Sequence, residues 1–441
     1  MDTITHGIVG ALLGKAFFAG HGDATRADGT AAQRAAGQFA GLGSPPEAPR
    51  WNRGECVATA AATLGAVFPD VDVIFGPLVR NDLAVIELHR SITHSLLCLP
   101  VFAVVLAALT RWYARRRALE SPSWVTLSGI YGVALASHIL LDLVTSFGTM
   151  IWSPWKRARP AWDLVFIIDF TLTAIVLLPQ LVAWVYRQRE RSFRRAAPLW
   201  AVFSGAAALI AWGTRAAGFT FSSRAVVAVS ALLAAWFFLP AWGSWGFSVP
   251  RASWCRAGVY ALAGYLCLCA MAHQAALRRV EQFAAARGLR VVRLGALPLP
   301  PFLAYWDGLI RTPEGVYEAR FDLSRGYQRG LAPDSASKAS NGEFPTFHFF
   351  ADSPPNGYLE AARQLPRVKT YLWFARFPVF RYTQSPDPGP VPAKSGEAGS
   401  LHIIEIRDLR FFQRGRGPAP FTFRVTFDAA GHVVEQGWAP D

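Results

Sequence analysis

Charge is scarce in this chain: only 17% of its 441 residues are Asp, Glu, Lys or Arg, while 52% are apolar. That balance excludes a single soluble domain and places the sequence at the membrane end of the composition range. Cysteine is scarce as well. Of the five, Cys98, Cys267 and Cys269 lie within apolar runs and Cys56 and Cys255 at the start of others, so no disulfide framework is available. A positively charged leader is also missing, because the chain opens Met-Asp-Thr-Ile-Thr-His, and the N-terminus is expected to stay on the protein.

What the chain does have is long apolar runs. Windows 95–112, 125–146, 164–186, 198–214, 225–242 and 257–277 are each about long enough to cross ~30 Å of hydrocarbon, and the last three hold no charged residue. Two shorter stretches, 4–20 and 56–68, bring the expected count to about eight helices. The mean hydropathy of +0.24 is modest for such a protein, which implies an average over a very apolar part and an ordinary soluble part.

The change falls near residue 278. We therefore expect an α-helical polytopic membrane domain over 1–277, with the chemistry-bearing motifs in 1–163, and a soluble, mostly antiparallel β-domain over 278–441. Tyr317–Leu323, Phe344–Asp352, Lys369–Thr383, Leu401–Phe412 and Phe421–Phe427 have strand composition, separated by Pro- and Gly-rich connectors at 324–343 and 385–400. Residues 21–54 read as a flexible loop.

A net charge of +14 raises the question of nucleic acid. The arginines, however, cluster beside the apolar runs, at Arg111 and Arg115–Arg117 and at Arg187, Arg189, Arg191, Arg194 and Arg195, with no aromatic platform beside them. This is the positive-inside pattern of a membrane protein. It places 21–54, 113–124, 187–197 and 243–256 in the cytoplasm, and 69–94, 147–163 and the C-terminal region outside. Trp152, Trp155 and Trp162 then read as an interfacial aromatic belt.

Ionisable groups at helix ends and inside apolar segments are costly unless paired or bound to something. Here they are His6, Asp70 and Asp72, His89 and His94, and His138 with Asp142, and the alternation of helices brings all of them to one membrane face. His138 and Asp142 are at i and i+4, on one side of a helix. Imidazole with carboxylate oxygen suits zinc, manganese or iron. More than four candidate ligands suggests two ions per chain, which would activate water and neutralise charge on a substrate oxygen. Arg90 would hold a phosphate or carboxylate, Asp72 is the carboxylate expected to move a proton, and Ser137 and Thr145 are candidate supporting hydrogen bonders. Asp163 and Asp169 are either extra ligands or partners of Lys156, Arg157 or Arg159.

These residues carry a resemblance. Met1 to His6, Pro69 to Asp72 (Pro-Asp-x-Asp), His89 to Ser95 (His-Arg-x-x-Thr-His-Ser) and His138 to Asp142 (His-x-x-x-Asp) resemble the motifs of the YdjM-like membrane-bound metal-dependent hydrolase family over about the first 160 residues. That family looks distantly similar to zinc-dependent phospholipase C and P1-type nucleases, which implies phosphoester hydrolysis with lipid substrates favoured. The spacing departs from those soluble enzymes, and the 21–54 insertion is peculiar to this chain. The expectation is a metal-dependent hydrolase of the bacterial inner membrane, its site on the periplasmic face. The competing expectations are a transporter using intramembrane Asp142 and Asp169, and a helical scaffold for a β-domain that binds envelope partners.

Overall fold

Each of the eight apolar windows coincides with a helix. The structure, a computed structural model, describes residues 1–18, 53–75, 81–213, 222–300, 303–324, 347–386, 400–412 and 420–439. The expected loop 21–54 and the connectors 324–343 and 385–400 lie almost wholly outside the described residues. Helix α1 spans Thr3–Leu13, capped by Asp2, whose side chain accepts from Thr5 N, and continues as a π-helical stretch, Gly14–Phe18. There follow α2 (Arg53–Val67), α3 (Leu99–Arg116), α4 (Trp124–Leu143), α5 (Phe170–Val185), α6 (Ser192–Gly213), α7 (Ser223–Phe238) and α8 (Arg251–Ala286).

Among the described residues five stretches are long and apolar enough to cross a membrane: Glu55–Ile74, Trp124–Leu143, Arg189–Gly213, Ser223–Ser248 and Arg251–Ala286. A sixth arises if Ala84–His94 and Leu99–Arg116, bent by 74°, count as one broken span, while Thr3–Phe18 and Phe170–Val185 are shorter apolar helices. The fifth window thus begins its helix at residue 170 rather than 164. Asp169 is the N-cap of α5, accepting from Leu172 N, and does not lie within the helix.

Small residues set how closely the first helices approach. A Cβ at Gly10 would stand 2.5 Å from the Ala62 carbonyl, and one at Gly65 would stand 2.8 Å from the Tyr131 ring. Backbones that close are how membrane helices gain packing when lipid is as apolar as the side chains. The result locks α1 to α2 and α2 to α4, which brings the N-terminal end of α1 and the C-terminal ends of α2 and α4 together.

The C-terminal region contains two antiparallel four-stranded sheets, each in sequential order. Strands β1 (Arg293–Pro298), β2 (Tyr305–Thr312), β3 (Gly315–Asp322) and β4 (Phe347–Ala351) form the first, and β5 (Pro378–Pro386), β6 (Ser400–Asp408), β7 (Thr422–Phe427) and β8 (Val433–Trp438) the second. Between them lie α9 (Gly357–Gln364) and α10 (Pro366–Phe374). The run Lys369–Thr383, expected as strand, therefore splits. Its first part is helical because Val368, Tyr371 and Phe374 bury one face at helical spacing behind Pro366, which favours a helix start.

Helix α8 continues past residue 277 and packs Ala276, Val280 and Phe283 against Trp306 and Ile310 of the first sheet. The second sheet and α10 share a core with Leu83, Ile86 and Phe147 of the membrane domain. The β-region thus sits directly on the loops that carry the motifs.

Candidate metal centre

Four side chains from three parts of the chain converge: Asp70 after α2, His94 before α3, and His138 and Asp142 on α4. His94 Nε2 is 3.0 Å from His138 Nε2, 3.1 Å from Asp142 Oδ2 and 3.8 Å from Asp70 Oδ1. His138 Nε2 is 3.4 Å from Asp142 Oδ2 and 3.5 Å from Asp70 Oδ1. Ligands about 2.0–2.1 Å from a tetrahedral ion are separated by roughly 3.3 Å, and these five separations bracket that value, with all four donor atoms within 4.8 Å of one another.

The hydrogen-bond network shows which atoms are donors to an ion. His138 Nδ1 is 2.6 Å from the Ala66 carbonyl, which can only accept, so that nitrogen carries a proton and, in the neutral ring, Nε2 carries the lone pair. The Thr93 hydroxyl donates to Asp72 Oδ2 at 2.8 Å, so it accepts from His94 Nδ1 at 3.0 Å, and in the neutral ring His94 Nε2 likewise carries the lone pair. Two imidazole lone pairs and two carboxylate oxygens thus face one another in a buried space, and Asp142 Oδ2 has no hydrogen-bond partner. With both imidazoles neutral, such a set repels itself unless a cation, either a proton or a metal ion, lies between its members. The residues present fit a divalent metal ion.

The other expected residues surround this group. Asp72 accepts from the Arg90 backbone N–H at 3.0 Å and pairs with His89 Nδ1 at 2.8 Å, so it orients His94 through Thr93 and links to His89. Asp72 and His89 stand outside the four-donor group. His6 stacks on His138, with ring centroids 3.6 Å apart, and its Nε2 lies 3.2 Å from Asp142 Oδ1, which leaves its buried Nδ1 without a partner. The Arg90 guanidinium is buried against Asp142 Oδ1 at 2.8 Å and donates to Thr145 Oγ1 at 2.9 Å. Arg90 holds a left-handed backbone, φ 63°, which costs a β-substituted residue roughly 1–2 kcal/mol and requires the surrounding bonds to hold it.

Thr145 supports the site as expected, whereas Ser137 donates to the Ala134 carbonyl within its own helix. Three participants were not among the expected site residues. The Met1 amino group lies 2.5 Å from Asp142 Oδ1, the Thr3 hydroxyl donates to Asp70 Oδ2 at 2.6 Å, and Ala66 contributes a main-chain carbonyl. Of the two carboxylates left open, Asp163 is held by both guanidinium nitrogens of Arg376, at 2.9 and 2.7 Å, and Asp169 accepts from Tyr265 Oη at 2.7 Å. Neither pairs with Lys156, Arg157 or Arg159.

Beneath the β-region, Arg159 donates to the carbonyls of Ile86, His89 and Gly148 at 2.5, 2.7 and 3.2 Å. Burial, reinforced by the nearby guanidinium groups of Arg90 and Arg410, pushes its pKa down to about 9, so it is still a cation at neutral pH.

Fold and site together define a polytopic membrane protein with a His- and Asp-lined centre at one end of its helices. Residues 1–216 match the model of the family described as YdjM inner membrane protein, and this part of the chain is similar to that family. The C-terminal sheets lie beyond the matched residues. No curated protein and no solved structure matches the chain.

Proposed function

We propose that the protein is a membrane-bound metal-dependent hydrolase acting on a phosphoester, with a lipid-type substrate at the periplasmic face of the inner membrane. The observation that carries this reading is the convergence of Asp70, His94, His138 and Asp142, with one donor atom from each within 4.8 Å of the others and the buried Asp142 Oδ2 left without a hydrogen-bond partner. A divalent ion held there, zinc by the donor set and manganese or iron by the same chemistry, supplies Lewis acidity toward a phosphoryl oxygen and acidifies water. His94 and His138 are fixed in the metal-binding tautomer by Thr93 and Ala66. Arg90 offsets the charge of Asp142, against which it is buried, and is the guanidinium beside the donor group. The Asp72–His89 pair, with the His89 side chain 20% exposed, offers a route for a proton to water.

Four protein donors fill a tetrahedral ion, and catalysis needs an open position. Asp70 is the donor nearest water and the one best placed to yield that position. The test is metal analysis of the detergent-purified protein, followed by a screen over phospholipids, phosphodiesters and simple esters. Bound metal that His138→Ala removes, together with hydrolysis lost in the same variant, supports the reading. Absence of stoichiometric metal overturns it, and metal-dependent uptake into proteoliposomes without hydrolysis would favour transport instead.

A further inference from the structure

We propose that Arg159 is a positioning residue for the metal centre, and that the C-terminal domain completes it by covering the guanidinium of Arg159. This rests on the metal reading above. Arg159 touches none of the four donors. It instead binds the carbonyls on which the His89–His94 segment depends: Ile86 and His89 precede Arg90, and Gly148 belongs to the loop that follows Asp142. One planar cation thus ties the segment bearing His94 to the loop leaving α4, in a geometry that suits a rigid fork better than an ammonium.

The bond to the His89 carbonyl lies next to the left-handed Arg90 backbone. From the other side, Met150 N donates to the Arg90 carbonyl at 2.9 Å. The Phe147 ring stands 4.7 Å from the Arg159 guanidinium carbon and 5.1 Å from that of Arg90, so it links the two cations. The remaining cover comes from α10. Phe374 and Trp373 lie 5.3 and 5.7 Å from the same guanidinium, and Trp373 Nε1 donates to the Arg157 carbonyl at 3.0 Å. Arg410 donates to the Ser146 carbonyl at 2.9 Å, and Arg376 clasps Asp163, which holds α10 on the loop. Residues outside the family-matched region therefore buttress donors inside it.

The full chain in detergent, loaded with Co²⁺, tests this by two readouts: affinity, from competition with a chelating dye, and the d–d absorption that reports ligand geometry. Arg159→Met should weaken Co²⁺ binding roughly 10- to 100-fold, the range for residues that orient metal ligands, and should change the absorption envelope. Arg159→Lys should restore part of the affinity. Phe374→Ala should shift both readouts the same way by less, and Arg157→Gln should leave both unchanged. Wild-type affinity and spectrum in Arg159→Met overturn the proposal, even if that variant melts earlier. If Arg159→Met does not fold, Phe374→Ala decides, and wild-type behaviour there overturns it. A wild-type chain that binds no Co²⁺ would instead overturn the metal reading, and this proposal with it.

Discussion

His138→Ala separates a metal ligand from a residue that merely stands nearby. The imidazole contributes Nε2 at 3.0–3.5 Å from the other three donors, a hydrogen bond to Ala66 and a stacking face for His6. Structural zinc sites bind with about 10–16 kcal/mol in total, so one of four ligands carries about 3–4 kcal/mol. At 1.4 kcal/mol per decade that is roughly a hundred- to a thousand-fold in affinity. His89→Ala is the comparison, because His89 gives the group no donor atom, bonding to Asp72 and standing edge-on to the His94 ring, and should cost about ten-fold. Equilibrium dialysis against zinc and manganese, on protein shown to be monodisperse, gives both numbers. Equal losses in the two variants, or none in His138→Ala, would refute the assignment of donors.

Asp163→Asn should weaken the hold of α10 on the membrane domain by about 3 kcal/mol, since it leaves Arg376 without its buried counter-charge; faster hydrogen exchange in residues 366–376 would show this. Gly10→Val should separate α1 from α2, because the new Cβ would overlap Ala62 O and Ala66 Cβ, and zinc binding should fall with the displaced His6 and Asp70. Reporters fused in 187–197 and at the C-terminus should fall on opposite sides of the membrane, and the same side for both would contradict the helix count. Burial opposes charge on Glu405, yet Arg424 and Arg407 hold its pKa below the ordinary glutamate value. The stability it contributes is present above that ordinary value and lost as pH falls through the lowered one, by about 1 kcal/mol or less at this partly buried surface site. A melting temperature that rose on acidification across that range would contradict the sign.

Much of the membrane domain could be read from the sequence because one strong signal, a long uncharged run, answers one strong constraint, the hydrocarbon core. The gathering of the motifs followed from alternation of helix direction, and His138 with Asp142 followed from helical spacing. Strands β1 and β2 were not legible. Arg293–Pro298 and Tyr305–Thr312 carry Gly, Pro and a buried Asp307, which dilute the alternation. The short aromatic run of α10 satisfies either period until its buried face is known. The partners of Asp163 and Asp169 lie 213 and 96 positions away, and no local pattern encodes such pairings. Main-chain participants such as the Ala66 carbonyl are invisible for a different reason, since any residue type would supply them.

Helix α8 runs unbroken for 36 residues, about 54 Å at 1.5 Å per residue, against ~30 Å of hydrocarbon. Its last nine residues, 278–286, or about 13 Å, run past the 257–277 window and pack Val280 and Phe283 into the core of the first sheet. The C-terminal domain is therefore carried on a mast, not a tether: its height is set by helix length, and it has almost no radius of search. Any molecule that meets it must arrive at one fixed level above the lipid, over the same few helices that hold the candidate metal centre.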